Sequence, residues 1–144
     1  MWADTLLALE RGHLLRLALW GGASVLAGSL IVVWLAVRRV DAALLRHFAI
    51  QTAAWGVIDL AICAWSRQGI ALRDYAGAQR LVNLLWLNTG LDAGYIAIGI
   101  TLAITAWRWG ARASGIGAGI GVIVQGLALL LLDVRLLAAI GPMK

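Results

Sequence analysis

Four apolar runs, each near the length a helix needs to cross a bilayer, fill most of this 144-residue chain. A transmembrane helix takes about 20 mostly apolar residues. The runs fall at about 17–37, 46–66, 81–107 and 113–132, with arginines between them. The first is charge-free and closes on Arg38-Arg39, and Arg46 opens the second. Inside the second the only charge is Asp59, and inside the third it is Asp92. Asp133 and Arg135 follow the fourth. Such spacing predicts an all-α protein: a four-transmembrane-helix up-down-up-down bundle in a single integral membrane domain over residues 1–144.

Composition agrees. Residues are 62% hydrophobic and 13% charged, whereas soluble domains run nearer half apolar and a quarter charged. Tryptophans mark the borders: Trp20 and Trp34 bracket the first run, Trp65 ends the second, Trp86 starts the third, and Trp107 and Trp109 end it. Indoles favour the headgroup level, so these read as an aromatic belt, with Trp55 the mid-span exception. The first run is too long for a signal-peptide core, and acidic Asp4 and Glu10 precede it, so it reads as an uncleaved span. Ahead of it, "ADTLLALERGHLLRL" offers Asp4 as an N-cap and leucines at 6, 7, 14 and 15, which predicts a short N-terminal amphipathic helix lying at the interface.

The net charge of +5 does not point to nucleic acid, because the arginines sit between apolar runs and no separate basic face remains. At membrane borders they meet anionic headgroups instead. Arg11, Arg16, Arg67, Arg73, Arg80, Arg135 and Lys144 share the side of both termini, against Arg38, Arg39, Arg46, Arg108 and Arg112 opposite. By the positive-inside rule both termini are expected in the cytoplasm; in a bacterium with two membranes, the inner (plasma) membrane is the one expected.

Asp59 and Asp92 are the residues to explain. Counted from the span midpoints at about 1.5 Å per residue, Asp59, Asp92, Gln125 and Ser24 fall at similar depth, on the termini side. Gln51, Trp55 and Asp59 share one helical stripe, as do Asn88, Asp92 and Tyr95. An ionised side chain facing lipid at that depth costs about 2.5 kcal/mol or more, so both carboxylates should point inward and near one another. A close carboxylate pair in low dielectric does not ionise twice with ease; it would share a proton or hold a cation. The plainer reading is interhelical glue, worth about 0.6 kcal/mol per hydrogen bond.

Other patterns carry less. In "SGIGAGIGVIVQG" a dinucleotide fingerprint starting at Gly115 would need glycine at Ile120, and no strand precedes it. Gly115 with Gly119, Gly117 with Gly121, and Gly90 with Gly94 instead predict small-xxx-small packing faces. His13 and His47 lie at the expected ends of spans on opposite sides, so one haem could not be held by both, and both are expected at headgroup level. The lone Cys63 excludes an internal disulfide and a Cys-based zinc site. No nucleophile–base pair, H-E-x-x-H or Walker loop is present. The expectation is a protein without enzyme activity, cofactor or metal.

The segments "ERGHLLRLALWGG", "QTAAWGVIDLAI", "LNTGLDAGYIAIGI" and "VQGLALLLLD" resemble an uncharacterised family of small four-helix bacterial integral membrane proteins, filed as a domain of unknown function. The N-x-G-L-D-x-G-Y of the third helix is the most specific part of that likeness. Asn88, Asp92, Tyr95 and Gln125 match the pattern; where this chain has Asp59, the pattern carries an amide. The resemblance implies a four-helix bundle and no known activity. Three functions follow from the sequence: a structural or accessory subunit of a membrane assembly, as a homo-oligomer or in a larger complex; a small proton- or cation-coupled transporter or channel using Asp59 and Asp92; and a lipid or quinone binder using a cleft near Trp55 and Tyr95.

Overall fold

The computed structural model describes residues 2–141, which form four helices: α1 (Trp2–Arg38), α2 (Ala43–Gln68), α3 (Tyr75–Arg108) and α4 (Ala113–Ile140). Among the described residues there is no strand. All four helices are long and apolar enough to cross a membrane. Lys144, counted above with the basic residues beside the termini, lies outside the described residues.

The helices are longer than their apolar runs. Hydropathy stops at the first charge, whereas a helix stops only where its backbone hydrogen bonds are diverted. Nothing between residues 2 and 38 diverts them, so α1 is one continuous helix and Asp4 lies in its first turn. The separate interfacial helix expected from the leucine pattern is therefore not formed. Its Leu6 is instead buried with Val82, Leu85, Leu136 and Ile140 in an apolar knot joining α1, α3 and α4. α4 likewise runs past Leu132 and carries Asp133 inside the bundle.

Local signals set the ends. Arg39 takes a left-handed conformation (φ 51°). Its N–H donates to Ala36 and that of Val40 to Leu35, the paired bonds of a Schellman stop. Asp74 caps α3 by accepting from the Gly77 N–H at 2.7 Å.

The helices bury small and polar residues and turn their leucines outward. On α1, Leu15, Leu19, Leu26, Leu30, Val33 and Val37 form one stripe, each 57–74% exposed. The buried set includes Glu10, Ser24, Asp59, Asp92, Gln125 and Asp133. In water this arrangement would leave a large apolar surface uncovered. In lipid it is the expected sense of packing, since tails solvate leucine and ionisable groups turn inward.

Glycine sets the close approaches. A methyl on Gly21 would lie 2.9 Å from the Gly56 carbonyl, and one on Gly56 would lie 2.6 Å from that of Gly21. Farther along the same seam Gly28 faces Ala49 and Ala53. Gly99 and Gly119 form the matching contact between α3 and α4. On α4 the expected pairs divide by face: Gly115 and Gly119 abut α3 at Ala106 and Gly99, while Gly117 and Gly121 abut α2 at Leu44 and Phe48. Gly90 and Gly94 behave otherwise. No atom lies within 4 Å of a methyl built on either, and they fall on the exposed face of α3, so they pack no helix within the chain.

α4 packs against α2, α3 and α1, whereas α2 and α3, though consecutive, have no comparable contact among the described residues. That gap holds the site.

Candidate functional site

A groove of about 640 Å³ opens between α2 and α3, floored by α4 and the first half of α1. The loop residues Gly69, Ile70 and Arg73 line one end. At the other, Trp55 of α2 meets Tyr95 of α3 edge to face, with ring centroids 5.0 Å apart. That aromatic contact bridges the gap.

Asp59 and Asp92 both line this groove. Asp59 is fully buried and Asp92 is 4% exposed. The Gln125 amide donates to Asp59 Oδ2 at 2.5 Å, and its own oxygen accepts from the Trp20 indole at 3.0 Å. A chain therefore runs from α1 through α4 to α2. Trp20, assigned above to the aromatic belt, turns inward to complete it. Asp59 Oδ1 and Asp92 Oδ2 are buried without a hydrogen-bond partner.

The polar groups extend beyond a single layer. His13 Nε2 lies 3.4 Å from Asp133 Oδ1, so His13 faces the interior of the bundle and not the headgroups. The Asn88 amide interacts with the same Asp133 carboxylate, and Asp92 is electrostatically coupled to both Asp133 and Asp59. Nearest the loop, Arg73 pairs with Glu10 Oε1 through Nη2 at 2.8 Å and Nε at 2.9 Å. From Gln125 to Asp133 along α4 is about 12 Å, so the polar groups form a column descending toward the termini.

Of the remaining residues singled out in sequence, Asn88 and Tyr95 line the groove. Ser24 is buried where α1 meets Gly56, and Gln51 lies over Gly121; neither is among the residues lining the groove. Sequence reasoning missed Glu10, His13 and Asp133. Their signal was phase: Glu10 and Ser24 lie two heptads apart, and Gln125 and Asp133 lie two turns apart, so each pair shares a helix face. Among the described residues no three His, Cys, Asp or Glu side chains converge as a metal site would require.

Fold and groove together define a class: an all-helical protein of four membrane-length helices, apolar outside and acidic within, compatible with a membrane protein. The chain belongs to the family of unknown function DUF6992, whose model matches residues 16–134. No curated protein and no solved structure matches it. The matched region contains Asp59, Asp92, Gln125 and Asp133, and begins after Glu10 and His13.

Proposed function

We propose that this protein is a non-enzymatic integral membrane protein that takes up a proton or small cation at the carboxylates between α2 and α3, and couples that binding to transport. One observation carries the reading: two buried carboxylate oxygens, Asp59 Oδ1 and Asp92 Oδ2, have no partner in a groove they both line. A buried anion without a partner is costly, so each must be neutralised by a proton or compensated by a cation. Glue would have used those oxygens in bonds between helices. The surplus of basic residues beside the termini supports cytoplasmic termini. The test is flux in proteoliposomes. Wild-type protein should move protons or a monovalent cation, and Asp92→Asn should abolish the movement while eluting as the wild type does. Wild-type flux equal to that of empty liposomes would sink the reading.

A second reading, an accessory subunit docking through α3, is favoured by one feature. Gly90 and Gly94 stand open on the outer face, in the small-xxx-small spacing that lets two helices approach closely. It predicts an assembly in mild detergent that survives Asp92→Asn and dissociates in Gly90→Leu, as read by native mass spectrometry.

A further inference from the structure

We infer that the groove between α2 and α3 binds a net-cationic amphiphile: an alkylammonium head held between the Asp59 and Asp92 carboxylates and the Trp55–Tyr95 pair, with an apolar body along the groove walls. This deepens the reading above and rests on it, since the same carboxylates take the charge.

Charge is the first argument. Four carboxylates face or adjoin the groove, from Glu10, Asp59, Asp92 and Asp133, and the one arginine lining it, Arg73, is already paired with Glu10. His13 stands against Asp133. Asp59 and Asp92 line the same groove with no ion pair to a cation among the described residues, and each keeps an unpartnered buried oxygen, as Glu10 does at Oε2.

Register is the second argument. On α2, Trp55 lies one turn from Asp59; on α3, Tyr95 lies one turn from Asp92. The aromatic pair and the carboxylate pair are thus offset by about 4.5–6 Å along the helices. That one-turn rise is comparable to the reach of a cation–π contact, about 6 Å from the ring centroid. Trp and Tyr faces with a carboxylate suit an organic ammonium, which is large and weakly hydrated. A divalent metal ion would instead favour several converging oxygen ligands, and among the described residues no three His, Cys, Asp or Glu side chains converge.

The walls and the opening are the third argument. Ile58, Ile62, Leu84 and Leu91 line the groove and are each 45–52% exposed, so its rim is apolar and faces outward between the two helices. An amphiphile dissolved in the bilayer reaches the carboxylates sideways, with its tail still among hydrocarbon. The groove volume of about 640 Å³ falls within the range of small-molecule sites. A zwitterionic lipid headgroup fits less well, because its phosphate would enter among the same carboxylates.

The test is equilibrium dialysis of radiolabelled benzyltrimethylammonium against the whole protein in dodecyl maltoside micelles. Saturable binding near one per chain is expected, weakened about tenfold or more by Asp92→Asn and about fivefold by Trp55→Leu. Neopentylbenzene, the neutral isostere, should not displace the label, and lysophosphatidylcholine should displace it poorly. Asp59→Asn, which can still accept from Gln125, serves as the second variant and should weaken binding in a chain that remains monodisperse. Displacement by neopentylbenzene or lysophosphatidylcholine as effective as by unlabelled probe, or wild-type affinity in both Asp variants, would overturn the inference. If the label fails to bind while Asp92-dependent proton or cation flux persists, the ligand class falls and the parent reading stands. Loss of both removes the two together.

Discussion

Where α1 meets α2, backbone touches backbone: Gly21 and Gly56 leave no room for a methyl group, and Gly28 sits against Ala49 and Ala53. Where α2 faces α3, the helices stand apart, and the space between them is lined by carboxylates, amides and the rings of Trp55, Trp65 and Tyr95. The same helix supplies both surfaces. In the seam, cohesion comes from dispersion and close approach, which small residues maximise when lipid removes the hydrophobic incentive to associate. In the gap, α2 and α3 are held by a ring contact, by the six-residue link 69–74 and by a shared hold on α4. A membrane bundle can therefore spend its glycines on rigidity in one place and leave its charges accessible in another.

The largest expected effect breaks the seam. Gly56→Val would drive a branched side chain into the Gly21 carbonyl and the Val25 N–H, with atoms closer than 3 Å. Overpacking of this kind costs about 1–3 kcal/mol or more, and denaturant titration of the folded bundle should show it. Next comes the polar chain. Gln125→Leu removes the donor bonded to Asp59 and strands the Trp20 N–H, an expected loss of about 1–3 kcal/mol. The double variant Asp59→Leu/Gln125→Leu should recover the part due to the stranded carboxylate but not the part due to the Trp20 N–H, which still lacks its acceptor; a double-mutant cycle measures the recovery. Asp92→Leu should act in the opposite direction and raise the unfolding midpoint, because it removes a buried oxygen without a partner. Stability gained together with flux lost would separate a working residue from a structural one. The Glu10–Arg73 pair should contribute less. With the arginine 29% exposed, removing both partners together in Glu10→Leu/Arg73→Ala, which strands no charge, is expected to cost about 1 kcal/mol or less, more weakly in high salt. Smallest of all, Gly94→Ala should change stability by about 0.5 kcal/mol or less, on either side of zero, because its face meets nothing in the chain. A large loss there would mean that α3 has a packing partner outside the chain.

Much of this contrast could be read before any coordinates, and the reason is lipid. A bilayer accepts long apolar helices, so four runs of the right length located the four helices. It rejects buried charge without cover, so Asp59 and Asp92 could be turned inward on energetic grounds alone. What escaped was everything at the helix ends. Glu10 and His13 looked like flanking residues because the apolar run starts after them, and Asp133 looked like a terminator because it follows four leucines. A helix continues for as long as its backbone bonds do, and the periodicity of its buried face continues with it. Trp20 was misjudged for a related reason: an indole near a span border favours the headgroups only if no acceptor lies closer, and Gln125 does. Gly90 and Gly94 form a packing motif in sequence that meets no neighbour among the described residues.

The hydrogen bond between Gln125 and Asp59 joins residues 66 positions apart, and this separation bears on how the protein is made. A ribosome delivers α2 to the bilayer well before it has translated the amide that will accompany it. During that interval Asp59 has only α1 and early α3 for company, so its carboxyl group must be carried in protonated or wait near the translocon's aqueous path. Synthesis of the last helix, the one touching all the others, is then the step that lets the nascent chain become a finished bundle.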